Sequence, residues 1–147
     1  MSLKERINED VKTAMKARDA ARLSVLRMLT SEMKQREVVD SIELTDAVVQ
    51  ASIEKMIKQR RDSEKQFRDG ARPELAEKEA AEIQVLLGYL PQQLSETEIA
   101  DLVTQAIAAT GAQGGKDMGK VMGWIKPKAA GRADMGKVSA LIKAKLG

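Results

Sequence analysis

Apolar residues in this chain return at intervals of three and four from one end to the other, and no stretch alternates apolar with polar residues long enough to line a strand. Such a chain can bury its apolar side chains only by packing amphipathic helices on one another, so the expected fold class is all-α.

The punctuation divides this pattern into seven segments. Ser2 with Glu5 forms a capping box ahead of Leu3, Ile7, Val11 and Ala14, and the first helix is expected to end near Ala17–Asp19. Leu23, Leu26, Met28, Leu29 and Met33 carry a second helix to about Glu37. Thr45 opens a long third helix on Val49, Ile53, Met56, Ile57, Arg60 and Phe67 that stops at Gly70. Pro73 suits the first turn of a fourth helix carrying Leu75, Glu79, Ile83, Leu86, Leu87 and Leu90, and Pro91 ends it. A second capping box, Ser95 with Glu98, starts a fifth helix on Ile99, Leu102, Val103, Ala106 and Ile107. The domain boundary is placed at this joint, giving a helical N-terminal domain over 1–92 with about four helices and a three-helix C-terminal domain over 93–147.

Residues 111–115 read as a flexible connection because they hold three glycines. Beyond them Asp117-Met118-Gly119-Lys120-Val121 recurs as Asp134-Met135-Gly136-Lys137-Val138, with each aspartate expected to cap a short helix. Two copies are too few for a solenoid; the plain reading is two small helices opened by similar caps.

What the chain lacks narrows its chemistry. With no histidine and no cysteine it has neither the commonest general base, nor a thiolate, nor a Cys/His zinc site, nor a disulfide. No Gly-rich phosphate loop with a following Lys-Ser or Lys-Thr is present, and no Gly-x-Ser-x-Gly elbow. Glu79 and Glu82 could be read as paired carboxylates, but nothing beside them completes a catalytic set. The expectation is therefore no catalytic residue, no metal site and no cofactor. The longest uncharged runs, 83–95 with Pro91 and 102–115 with three glycines, are 13 and 14 residues, and the opening residues show no basic-then-apolar leader, so neither a membrane span nor a signal peptide is expected and the cytoplasm is the default compartment.

Charge is where a function is legible. The net charge is +3, yet residues 1–92 balance 17 basic against 17 acidic side chains, whereas 113–147 hold 8 basic against 2 acidic. Anionic partners would be drawn to that end. On a helix over about 116–126, Met118, Val121, Met122 and Ile125 make the apolar stripe, leaving Lys116, Gly119, Lys120 and Gly123 opposite. A glycine inside a helix costs about 1 kcal/mol relative to alanine, so two on one face call for close approach by some other body. If that body is a phosphate backbone, Lys126, Lys128, Gly131 and Arg132 in the following loop, and Lys137 at the start of the last helix, extend the basic surface. Alternatively the two glycines receive a neighbouring helix of the same protein and the lysines solvate the rim. Trp124 lies off the stripe, where it could stack on a base or pack beside the core. The run Lys55–Lys65 alternates in sign and faces an acidic helix, which favours an ion-paired helix pair over a phosphate grip. With three aromatics in all, a base-stacking sheet is excluded.

Several short pieces in fixed order resemble the GatB/YqeY family, and its free-standing YqeY-like members in particular. They are Ala14-Met15-Lys16-Ala17, Leu26-Arg27-Met28-Leu29, Lys55 through Ser63, Tyr89-Leu90-Pro91-Gln92-Gln93-Leu94, and Gly119-Lys120-Val121-Met122 through Gly131-Arg132-Ala133-Asp134. The resemblance implies a helical N-terminal domain joined to a smaller three-helix domain, and kinship with the tail of the GatB polypeptide of the tRNA-dependent amidotransferase, which helps hold tRNA. It implies tRNA, or an amidotransferase or other protein, as partner. The amidotransferase's catalytic parts lie outside the shared region, so carbon–nitrogen ligase activity with glutamine as amide donor is implied only by association. Where the family shows Gly-Arg-x-Asp-Leu, this chain has Gly70-Ala71-Arg72-Pro73-Glu74-Leu75, which is one residue out of step.

Overall fold

The computed structural model describes residues 1–147 and is all-helical, with no strand. Seven α-helices follow in order: α1 Leu3–Lys16, α2 Ala20–Lys34, α3 Asp46–Asp69, α4 Pro73–Leu87, α5 Glu96–Thr110, α6 Met118–Ala129 and α7 Met135–Leu146. They fall into two compact units, Met1–Leu90 and Pro91–Gly147, each with its own core.

In the first unit α1 to α4 close on Ile7, Leu26, Leu29, Val49, Ile53 and Leu86, all essentially without solvent exposure. α3 and α4 make the most extensive pairing, a helical hairpin across a short turn at 70–72. The charged run on α3 is ion-paired in part, and Arg68 beyond it adds a further pair. Arg60 reaches Glu82 of α4 at 3.0 Å, Lys55 reaches Glu32 of α2 at 3.7 Å, and Arg68 pairs along its own helix with Glu64 at 3.0 Å.

Four helix ends depart from expectation. α4 stops at Leu87 with Gly88 as its C-cap, so it does not reach Leu90 and Pro91 does not end it. α3 does not use Gly70 for its left-handed turn: Gly70 keeps φ −87, and Ala71 takes φ 58 while Arg72 N–H closes on the Phe67 carbonyl at 2.7 Å. α2 does not simply stop near Glu37. It widens into a π-turn, Gln35–Val39, and is closed by Ser41 at φ 54. α6 runs through Pro127 to Ala129, so Lys126 and Lys128 lie on its last turn and not in a loop. The proline forfeits the bond to the Gly123 carbonyl, but Ala129 is fully buried, and packing carries the helix past the residue that propensity alone would have stopped it at.

The second unit packs α5, α6 and α7 around Val103, Ala106, Val121, Ile125, Val138 and Ile142. Its first residues are sewn to the α6–α7 turn by three hydrogen bonds: Leu94 N–H to the Arg132 carbonyl at 2.7 Å, Gln93 Nε2 to the Gly131 carbonyl at 2.7 Å, and Arg132 Nε to the Gln92 carbonyl at 3.0 Å.

Candidate nucleic-acid interface

The connection before α6 is ordered by one carboxylate. Gly111 ends α5 in the left-handed conformation, at φ 66, and Asp117 Oδ2 accepts the Gln113 N–H at 3.0 Å, bending 113–117 into a turn. Asp117 therefore does not cap α6, whereas its counterpart Asp134 does cap α7 by accepting the Gly136 N–H at 2.9 Å. The repeated pentapeptide performs two different local tasks because only the first copy has a glycine-rich approach that can fold back on its aspartate. The backbone bond from Gln113, aided by Lys120 and Lys116, holds the Asp117 carboxyl below its usual value.

The buried stripe of α6 is Val121, Ile125 and Ala129, with Met118 and Met122 half-buried beside it. At about 100° per residue, Gly119, Gly123 and Pro127 then share one face within about 80°, with Lys126 and Lys120 each about 20° outside its edges. All five are exposed. A Cβ built on Gly119 or Gly123 would meet no atom within 4 Å, so no helix of this chain fills the strip. The result is a side-chain-poor ridge between two lysines.

The other expected residues are distributed unevenly. Lys116 is exposed just ahead of α6, where it acts on Asp117 only from a distance, and Lys137 is exposed on the first turn of α7. Lys120 makes a loose pair with Asp117 at 3.8 Å while its side chain stays 71% exposed. Lys128 lies over the Trp124 ring, 3.9 Å from its centroid, and Trp124 packs against the core of the unit. The indole is thus occupied by packing and by a cation. Lys126 and Lys128 also sit where α6 presents its free carbonyls, a position that favours cations on its own account.

Gly131 is not at the surface. It is buried at φ 72, and its carbonyl takes the Gln93 amide, because the α6–α7 turn needs a left-handed residue pressed against the 92–94 strap. Arg132 is half-buried with its Nε committed to Gln92. Both residues hold the unit together. The amides at the start of α7, expected to face an anion, are met by the chain's own Asp134. What remains is a compact group on α6, Gly119, Lys120, Gly123 and Lys126, with Lys116 just ahead of it, Lys128 at its margin and Lys137 on the next helix.

Sequence comparison identifies the family. The family described as Yqey-like protein matches residues 4–146, all but the ends of the chain. The chain belongs to the YqeY-like family. Among its relatives is altered inheritance of mitochondria protein 41 of Pyrenophora tritici-repentis, 32% identical over 130 residues, which are 87% of this chain and 71% of that protein. The protein of the same name in Lachancea thermotolerans is 31% identical over 125 residues, covering 80% of this chain and 67% of its own length. In Candida glabrata the figures are 33% over 102 residues, 68% and 56%. The chain thus spans between about half and seven-tenths of these YqeY-like relatives.

Those names correct one expectation. All three relatives are named as mitochondrial proteins, which overturns the cytoplasm as default compartment. The default rested on the lack of an apolar leader and span, and mitochondrial addressing does not use one: its segments are amphipathic, Arg-rich and poor in acids. No helix of the chain is long and apolar enough to cross a membrane.

Proposed function

We infer that the C-terminal unit of this YqeY-like protein docks RNA of the tRNA class, by laying a phosphate backbone against the open ridge of α6. One observation carries the reading: Gly119 and Gly123, which cost helix stability, face open space between lysines and receive nothing from the chain itself. A backbone needs such a ridge, because ribose and phosphate are bulky and the charges that neutralise them must flank the contact without blocking it. The excess of basic over acidic residues in 113–147 supplies the attracting field. The family kinship suggests the setting, an accessory role beside a tRNA-dependent amidotransferase whose own polypeptides perform the chemistry.

The test is retention of tRNA by the full chain over a salt series. Affinity should fall steeply with salt, and changing Lys120→Glu together with Lys126→Glu should weaken binding at least tenfold and flatten the log–log slope by about 1.5, since each phosphate contact contributes about 0.7–0.9. Gly119→Ala with Gly123→Ala separates fold from function: the pair should raise stability by up to about 2 kcal/mol, and still weaken tRNA retention by covering the ridge. Undiminished binding by the lysine variant, with native Trp124 fluorescence, would remove the reading.

A further inference from the structure

The first unit carries an apolar surface that its own folding does not explain. Six large apolar side chains are well exposed on the chain, and three of them, Val38 (65%), Val39 (71%) and Ile42 (37%), fall within five residues where α2 gives way to α3. They are not the end of the core stripe. Leu26, Leu29 and Met33 are buried in the core, whereas every residue from 37 to 43 is exposed, so the segment stands clear of that core. The valines therefore meet solvent and not the core of their own unit.

The backbone there is fixed. Asp40 N–H closes the π-turn on the Gln35 carbonyl at 3.2 Å, and Ile42 N–H reaches back to the Arg36 carbonyl at 3.0 Å across Ser41, which stands at φ 54. α1 braces both ends of the segment, through Lys4 to Glu37 at 2.8 Å and Leu3 N–H to Asp46 at 2.9 Å. A π-turn inside or at the end of an α-helix is uncommon and is frequently found at functional sites. Here it is the element that holds the two valines outward.

Charge says what kind of body covers them. From Glu37 to Glu54 the chain has five acidic residues and no basic one, although the protein as a whole is net positive. Glu37 and Asp46 are used by α1, but the carboxylates of Asp40 and Glu43 stand exposed with no cation beside them. Nucleic acid and anionic lipid are repelled by such a surface. An apolar patch rimmed by unpaired carboxylates fits an apolar segment flanked by lysine or arginine.

We propose that Val38, Val39 and Ile42, with Asp40 and Glu43, form a docking site for a basic amphipathic helix of a partner protein. The site is independent of the RNA reading, since it lies in the other unit and carries the opposite charge. It equips the molecule to join two kinds of partner, a protein on its first unit and a polyanion on its second.

The test titrates isotope-labelled full-length protein with a designed 16-residue peptide having leucines on one helical face and lysines on the other. Two controls accompany it: a scrambled peptide of equal composition, and one with glutamate in place of lysine. The amphipathic basic peptide should shift the Val38, Val39 and Ile42 methyl resonances. Its affinity should fall at least fivefold in D40K/E43K and at least tenfold in V38S/V39S, while both controls bind at least tenfold more weakly. V38S/V39S should leave the thermal midpoint unchanged. Equal binding of the scrambled peptide, shifts confined to other residues, or a lowered midpoint for V38S/V39S would each overturn the proposal. So would concentration-dependent self-association abolished by V38S/V39S, because a second copy would then be what covers the patch.

Discussion

Ser52 is the residue whose neighbourhood and chemistry disagree most. It is fully buried among Val49, Ile53 and Met56 on α3, and its hydroxyl has no hydrogen-bond partner. An unsatisfied buried hydroxyl costs about 1–3 kcal/mol, whereas a methyl in its place is at home in that core. Ser52→Ala should therefore leave stability unchanged or raise it by about 1 kcal/mol, measured by denaturant unfolding at constant m-value. A loss of stability above that size would mean that the hydroxyl has a partner. Tyr89 shows the satisfied counterpart. Its hydroxyl donates to Asp10 at 2.6 Å, Arg6 lies over its ring at 4.9 Å, and burial together with the Asp10 bond pushes the phenol far above its usual range. Neither arrangement could be read from composition. Only the helix that arrives opposite decides whether a buried oxygen meets a partner.

At the scale of the element, helix ends carry most of what distinguishes this chain. Ala71 occupies the left-handed position after α3 that glycine normally fills, with Gly70 one residue early, at the point where the sequence is out of step with its family. A left-handed alanine is strained by about 1–2 kcal/mol, part of which glycine returns as extra freedom of the unfolded chain. Ala71→Gly should stabilise the first unit by about 0.5–1 kcal/mol, visible as a higher urea midpoint. The second unit is held at its turns by carboxylates. The Ser95 backbone and hydroxyl hold Glu98 below its ordinary value near 4.5, and the Gln113 amide, with Lys120 and Lys116, holds Asp117 below its ordinary value near 3.8. Both folded values are depressed, so on acidification the unfolded chain takes up protons first. Their contribution is complete above about pH 5 and disappears as pH falls through the folded values. Trp124 lies in that unit alone, and its fluorescence-detected unfolding midpoint should be flat from pH 7 to 5 and fall below pH 4. Ser95→Ala should lessen the fall; an unaltered profile would show that this cap is not responsible.

At the scale of the whole molecule, two separate cores lie in one chain, with basic charge concentrated in the second and the acidic, apolar end in the first. Leu29 is fully buried in the first core, and Leu29→Ala should cost that unit about 2–5 kcal/mol. Two cores without shared residues predict that the Trp124 transition of this variant stays within about 0.5 kcal/mol of the parent, the usual limit for independent sites, while helix content melts earlier. A matching drop in the Trp124 transition would show that the units unfold together.

By itself the sequence determined the seven helices, the caps at Ser2 and Ser95, the main inward faces and the basic end, because each depends on residues within one or two turns of one another, although only Ser95 with Glu98 closes a full capping box. It also placed Gly119, Gly123 and their flanking lysines on one side of α6, since that is a matter of angular spacing alone. Tertiary structure decided what distant chain segments share. It buried Gly131 and Arg132 beneath the 92–94 strap, drew α6 through Pro127 by burying Ala129, and turned Asp117 back on Gln113. It left the two α6 glycines open, with no neighbouring helix in front of them. Spacing along a helix fixes the direction in which a residue points, but whether anything stands there depends on packing between segments that the local pattern does not encode.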